Sequence, residues 1–246
     1  MIHDPTTAQA VHGFFEAAAM LAGGRYYWAL RRRGGQASML HGAGFAVLLG
    51  CVLGAAVGNK AVFWIEMPQL WSAHGGWPGF FLMGQSMVGG LLGGLIGVEI
   101  AKKLAGWTQS TGDLFVFPLL LALIVGRVGC FLAGLNDGTH GSPTDLPWGM
   151  DFGDGIPRHP APLYEIIFAA ALWWLLARWQ ARLAAAPGLL FKLFLAAYLL
   201  WRLLVDALKP VPYAYPLGLS GIQWVCVVAL MLYMPLLVRQ LRKVFP

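Results

Sequence analysis

The sequence has very little charge. Only 11% of its 246 residues are Asp, Glu, Lys or Arg, whereas 58% are hydrophobic. Its mean hydropathy is +0.65. Soluble domains carry about 25% charged residues, so this composition excludes an ordinary soluble domain. The sequence predicts an integral membrane protein.

The sequence is also poor in cysteine and in features that divide a chain. Its three cysteines, Cys51, Cys130 and Cys226, are an odd number, lie in apolar segments and lack metal-binding spacing. We therefore expect no structural disulfide, no metal and no cofactor. No linker, repeat or low-complexity tract interrupts the chain, which predicts one domain over residues 1–246. No Lys or Arg precedes Arg25, so the start lacks the basic region of a signal peptide, and the first apolar segment is expected to remain as an anchor.

What the chain has is a series of apolar stretches. Most are about 20 residues long, enough to cross roughly 30 Å of hydrocarbon as a helix. They predict an all-α, polytopic bundle of seven transmembrane helices. The seven stretches are 8–30, 43–65, 79–101, 114–135, 162–179, 188–208 and 219–238.

The positive charges predict the orientation of this bundle, because Lys and Arg in short loops remain on the cytoplasmic side. Ten of them follow stretches one, three, five and seven, and only Arg158 and Lys209 lie at the opposite ends. The N-terminus and a polar loop at about 136–160 are therefore predicted outside, and the C-terminus inside. The net charge of +6 is explained by these basic helix ends beside anionic lipid, so nucleic acid is not an expected partner.

Glycine recurs every four residues in two of the stretches. Gly50, Gly54 and Gly58 form one series, and glycines at 89, 93 and 97 form the other. Small residues at this spacing let membrane helices approach closely. We expect the second and third helices to form a tight central core. The spacing is explained by packing within one chain, and we expect a monomer.

Arg127 lies inside the apolar stretch 114–135 and has no acidic residue within a helical turn. A guanidinium at membrane depth is costly unless it is paired or meets an anionic ligand. Arg127 would need a partner from another helix, and we expect it to bind an anion, the phosphate of a phospholipid head group.

Other polar residues fall in the predicted outer half of the bilayer. Arg202 and Asp206 are spaced i, i+4 and could simply pair with each other; a paired His12 and Glu16 is as consistent with the sequence as a role in a site. The aspartates of the outer loop, at 137, 145, 151 and 154, match no EF-hand spacing, so a solvated loop is favoured over a Ca²⁺ site. The candidate substrate-binding residues are His12, Gln85, Ser86, Tyr164, Glu165, Arg202, Asp206, Lys209 and Gln223.

Three motifs around Arg127 and the outer loop resemble those of the prolipoprotein diacylglyceryl transferase family. They are GRVGCFLAG at 126–134, PTDLPWG at 143–149, and PRHP at 157–160 followed by LYE at 163–165. A weaker resemblance extends to His12, to GQSMVGG at 84–90 and to the region from Arg202 to Gln223.

The resemblance implies transfer of a diacylglyceryl group from phosphatidylglycerol to the lipobox cysteine thiol of a preprolipoprotein, at the outer face of a bacterial inner membrane. Arg127 then corresponds to the phosphate-binding arginine, and Arg158 and His159 to a loop motif at the mouth of the site. We predict Arg127, Arg158, His159 and His140 as catalytic residues, with His159 preferred to His140 as the general base.

The chain departs from the family pattern at several positions. Val88 replaces an expected histidine, Cys130 an asparagine and Lys209 an arginine, and the sequence at 54–56 lacks an expected arginine. In addition, Gly13-Phe14 lacks the expected tyrosine hydroxyl. The alternatives are a relative acting on another phospholipid or acceptor, and a non-catalytic lipid-binding protein.

Overall fold

The computed structural model of the protein describes residues 2–36, 39–70 and 84–244. Seven long helices run through these residues and confirm the all-α prediction. They are α1 (Pro5–Arg33), α2 (Gly42–Glu66), α3 (Met87–Ala105), α4 (Val116–Ala133), α5 (Ala161–Leu183), α6 (Leu189–Val205) and α7 (Gly221–Val244).

Four helical segments are long and apolar enough to cross a membrane, which supports a membrane protein. They are Gly42–Glu66, Asp113–Asp137, Ala161–Leu183 and Gly221–Val244. The segment around α4 includes short 3₁₀ turns at Asp113–Phe115 and Gly134–Asp137. Another 3₁₀ turn, Asp206–Leu208, follows α6.

Capping residues explain where two of the helices begin. Asp4 accepts the backbone N–H of Thr7 at 2.8 Å, and Pro5 occupies the first turn of α1. Hydrogen bonds from Thr6 and Thr7 lower the pKa of Asp4 to about 2. Ser86 caps α3 through Gly89 N, so α3 begins at Met87 and not at residue 79 as predicted. Residues 79–83 of that prediction lie outside the described residues.

Neighbouring helices are antiparallel. Gly129 near the end of α4 meets Phe15 near the start of α1, and Glu66 at the end of α2 meets Ile222 at the start of α7. The starts of α1, α3, α5 and α7 therefore lie at the same end of the bundle as the ends of α2, α4 and α6. The basic turns that close α1, α3, α5 and α7 lie together at the opposite end.

Glycines bring α2 and α3 into backbone contact, as predicted. A Cβ on Gly54 or Gly93 would overlap the backbone of the facing helix. The predicted central position is wrong, because the buried core is formed by α4 to α7 with one side of α3, and in the described residues no side chain of α2 belongs to it. Several large side chains of α2 face outward instead; Val57, for example, is 71% exposed.

The outer loop contains a two-stranded antiparallel ribbon, β1 (Met150–Asp151) and β2 (Pro157–Arg158). Asp151 accepts three backbone N–H groups across the turn, and these hydrogen bonds, with that of Gly153 strongest, lower its pKa. The Arg158 guanidinium donates to Asp154 at 2.5 Å and lowers the pKa of that carboxyl. The carboxylates of Asp151 and Asp154 therefore stabilise the loop through these hydrogen bonds, in line with the prediction that these aspartates belong to a solvated loop.

Candidate active site

A buried carboxylate, Glu165, is the centre of the polar cluster between α4, α5 and α6. Its side chain is 1% exposed. Arg127 Nε bonds to Oε2, while Arg202 Nη1 donates to Oε1 at 2.7 Å and Lys209 Nζ donates to the same oxygen at 3.2 Å. Glu165 therefore joins three cations from two other elements. We call these residues, with Asp206, the Glu165 cluster.

The second acid of the cluster is Asp206. Arg202 Nη2 lies 2.8 Å from Asp206 Oδ1, which confirms the predicted i, i+4 pair. Lys209 Nζ lies 3.5 Å from the same oxygen. Two cations, Arg202 and Lys209, thus form ion pairs with both Glu165 and Asp206. These contacts hold the protein's own elements together.

The cluster carries an excess of positive charge. Three cations, at 127, 202 and 209, face two acids, at 165 and 206, which leaves one net positive charge. Glu66 lies outside these ion pairs: its carboxylate caps α7 by accepting Ile222 N at 2.7 Å and interacts electrostatically with Arg202 and Asp206. The net positive charge is therefore that of the ion-paired residues. Buried charge of one sign favours an anionic ligand.

The Tyr198 hydroxyl and Arg202 Nε are buried and have no hydrogen-bond partner among the described residues. Tyr198 is fully buried one turn before Arg202 and interacts electrostatically with Arg202, Glu165 and Arg127. Buried polar groups normally have partners, so both atoms are available to a ligand or water. Tyr198 is not among the predicted site residues, although the sequence places it four positions before Arg202.

Arg127 is paired, and its partner comes from another helix. The carboxylate of Glu165 neutralises part of its charge, so Glu165 acts as the counter-ion of Arg127. The substrate-binding role of Glu165 stays a prediction. Arg127 Nη1 contacts Cys130 Sγ at 3.5 Å, and within the described chain Nη2 meets no protein acceptor. The side chain is 13% exposed. Arg127 therefore keeps one side of its guanidinium for an anion.

His12 lies beside the same end of α4, between two carboxylates. Its Nε2 is 3.2 Å from Glu16 Oε1, and its Nδ1 is 2.7 Å from Asp137 Oδ1. Thr139 also donates to Asp137, which is half-buried and not part of a solvated loop as predicted. Both ring nitrogens of His12 thus face acids, and its contact with Asp137 fastens α1 to the end of α4. Its role in binding substrate stays a prediction.

His12, Cys130 and Asp137 are also the set of side chains that could hold a metal ion. One ligand atom from each lies within 4.8 Å of the others. The cation Arg127 lies 3.5 Å from the cysteine sulfur and opposes a second positive charge there. These three residues do not favour a metal in this arrangement.

The loop histidines lie against the end of α6. Ser142 N donates to Leu208 O at 2.8 Å, and His159 N donates to Ser142 O at 3.1 Å, which brings His159 close to the residue that precedes Lys209. His159 Nδ1 is 3.2 Å from the Tyr164 hydroxyl, which also accepts Trp148 Nε1 at 2.9 Å. His140 Nδ1 lies 3.1 Å from Gly141 O. In each histidine Nδ1 has a hydrogen-bond partner, and Nε2 has none among the described residues.

Four other predicted site residues either form hydrogen bonds outside the Glu165 cluster or are exposed. Gln223 accepts Ser220 N at 2.9 Å and donates to Leu203 O at 3.0 Å, so it joins α7 to α6, and its role in binding substrate stays a prediction. Ser86 is used as the cap of α3. Gln85 is exposed beside it. Arg158 bonds to Asp154 in the loop, not to the Glu165 cluster.

The chain is also similar in sequence to known proteins. The sequence model of the family described as prolipoprotein diacylglyceryl transferase matches residues 6–239. The matched region contains the whole Glu165 cluster, the glycine-packed helices and the outer loop.

Named relatives carry the same description. The phosphatidylglycerol–prolipoprotein diacylglyceryl transferase of Bordetella parapertussis is 34% identical over 182 residues, covering 66% of this chain and 62% of the relative. That of Nitratidesulfovibrio vulgaris is 33% identical, covering 74% and 71%. That of Polynucleobacter asymbioticus is 35% identical, covering 79% and 75%. The chain thus spans less than two thirds of the Bordetella relative.

Proposed function

Because the chain belongs to the prolipoprotein diacylglyceryl transferase family, we propose that it is a phospholipid-dependent transferase. Its donor is phosphatidylglycerol, and its acceptor is the lipobox cysteine thiol of a preprolipoprotein. The observation that carries this proposal is the Glu165 cluster, which has a net positive charge and presents Arg127 Nη2 with no acceptor among the described residues. A phosphodiester is the matching ligand.

In the proposed reaction the acceptor thiolate attacks the terminal glyceryl carbon of the lipid. A C–S bond forms as the C–O bond to phosphate breaks, and glycerol phosphate leaves with the electron pair. Arg127, which is a planar donor suited to phosphate oxygens, stabilises the charge that develops on the leaving group. Removing one such preorganised donor costs roughly 10²–10³ in rate.

The thiol proton must go to a base, because the thiolate is the nucleophile. We assign this proton to His159 Nε2, in the tautomer whose Nδ1–H donates to the Tyr164 hydroxyl oxygen. Imidazole ordinarily titrates near neutral pH. If His159→Gln leaves the pH–rate profile unchanged while His140→Gln abolishes turnover, the role belongs to His140. If neither substitution matters, the reaction has no histidine base.

The finer topology is also a proposal: seven crossings, N-terminus outside and C-terminus inside, in a bacterial inner membrane, as a monomer. The separation of the Glu165 cluster from the basic helix ends supports it, because the positive-inside rule places those ends in the cytoplasm. We expect Asp145→Cys to react with an impermeant thiol reagent in intact cells and Ser38→Cys to react only after permeabilisation. Ser38 lies outside the described residues; labelling of Ser38→Cys in intact cells would reverse the orientation.

Arg127→Lys gives the sharpest test of the proposed activity. We expect the protein to remain folded and inserted but to lose roughly 10²-fold in rate, since a point charge replaces a planar fork. The measurement is transfer from labelled phosphatidylglycerol to a lipobox peptide, with Arg25→Lys, remote from the cluster, as the control.

The cellular test is restoration of lipoprotein modification in a strain depleted of its own transferase. Restoration by the wild type and failure of Arg127→Lys support the transferase. Failure of both, with retained binding of phosphatidylglycerol, would favour the non-catalytic lipid-binding alternative. Undiminished turnover by Arg127→Lys would reduce Arg127 to a structural charge.

A further inference from the structure

A second cationic site lies at the opposite end of the bundle from the Glu165 cluster. A cavity of about 710 Å³ opens between the end of α5, the start of α6 and the end of α7. Its lining contains four cations and no acid: Arg182, Lys192, Arg239 and Lys243. Glu165 and Arg182 are separated by about 25 Å along α5, so this basic cavity is distinct from the candidate active site.

Lys192 is the least expected of these four cations. It lies in the first turn of α6, where the positive end of the helix dipole disfavours a cation. Its Nζ donates to the neutral amide of Gln240 at 2.5 Å, and Gln240 in turn donates to Pro187 O. The half-buried charge of Lys192 therefore meets no carboxylate in the described chain. Asp113 caps the start of α6 by accepting Gly188 N and Phe191 N, but in the described chain it forms no ion pair with Lys192. An anion in the cavity would give Lys192 a charged partner.

An apolar groove begins next to the basic cavity and follows α5 and α6. It has a volume of about 440 Å³ and is lined by leucines of both helices with Trp179 and Ala197. Leu175 and Trp179 of the groove and Arg182 of the cavity are spaced by four and three residues, which places them on one face of α5. Arg182 also lies over the Trp179 ring, 5.1 Å from its centroid.

The geometry points to a binding site for an anionic phospholipid at this end of the protein. The phosphate lies among the four cations, and one acyl chain lies along the groove between α5 and α6. A general excess of cytoplasmic positive charge accounts for cations at the ends of α5 and α7, but it does not account for Lys192 or for the adjoining apolar groove. Basic pockets between transmembrane helices suit lipid head groups.

Photo-crosslinking tests this site on the full chain in nanodiscs. The probe is phosphatidic acid with a photoreactive acyl chain, in a phosphatidylcholine bilayer, and labelled peptides are identified by mass spectrometry. We expect labelling at Leu172–Leu183. Removing two cations with Arg239→Gln/Lys243→Gln should lower it by on the order of tenfold. The matched control, Arg32→Gln/Arg33→Gln, removes the same charge from the same end of the bundle, outside the cavity, and should leave it unchanged.

Three outcomes would overturn the proposal. They are equal losses in the two double variants, equal labelling by a photoreactive phosphatidylcholine, and protection against thermal unfolding by inorganic phosphate without any labelling of the groove. The last would indicate a free-phosphate site. Retained labelling in Arg127→Lys would separate this site from the transferase, so failure of the proposed activity leaves the test intact.

Discussion

Two regions of the bundle hold helices together by different means. The α2–α3 interface is built from glycines whose backbones touch, whereas α4, α5 and α6 are joined through ionised side chains around Glu165. The first region depends on the absence of side-chain volume, and the second on a balance of charges that each cost free energy to bury. The glycine interface provides close packing, whereas among the described residues the charged region retains a buried donor without a partner, Arg202 Nε, for a ligand.

Removing the central carboxylate should produce the largest effect. Glu165→Gln raises the net charge of the cluster from one positive to two, because three cations then face one acid. Breaking a buried ion pair in this way costs about 3–5 kcal/mol. We expect a lower midpoint of thermal unfolding in detergent than for the control Glu16→Gln, whose side chain is 40% exposed.

A second substitution separates charge balance from loss of Glu165 itself. Glu165→Gln/Lys209→Met leaves two cations and one acid, the net charge of the wild type. We expect this double variant to regain part of the lost unfolding midpoint. If it is less stable than the single variant, packing and not charge balance explains the effect.

The glycine interface should respond to volume instead. A side chain at Gly93 would overlap Gly54 O and the backbone of Gly58, which cannot rotate away. Overpacking of this kind costs about 1–3 kcal/mol, so Gly93→Val should lower the unfolding midpoint. Gly90→Ala is the matched control on the same helix, because its Cβ would meet its nearest neighbours at 4.0 Å. Equal effects of the two substitutions would contradict backbone contact as the basis of this interface.

The same contrast shows what the sequence could predict. The spacing of glycines predicted the contact between α2 and α3, because one helix period is enough to define a face. It could not predict that this pair lies outside the core. For Arg127 the sequence revealed a buried charge and the need for a partner from another helix. It could not identify Glu165, 38 positions later, because the pairing depends on how α4 and α5 pack. For the same reason the sequence could not show that Gln223 joins α7 to α6 or that Ser86 caps α3, since a polar residue at a helix start can serve as a cap or in a site.

Cys130 should give the smallest effect, although it lies at the edge of the charged region. Its sulfur contacts Arg127 Nη1 at 3.5 Å and hydrogen-bonds with Asp137. The bonds from Arg127 to Glu165 and from His12 to Asp137 do not require this thiol. Cys130→Ala removes a single small group and leaves both of these bonds in place. We therefore expect transfer from labelled phosphatidylglycerol to fall by about threefold or less, well below the loss on Arg127→Lys. A large loss of transfer, or a lipid adduct recovered on Cys130 by mass spectrometry, would instead show that this sulfur is one of the reacting groups. The charged region would then take part in covalent chemistry as well as in binding.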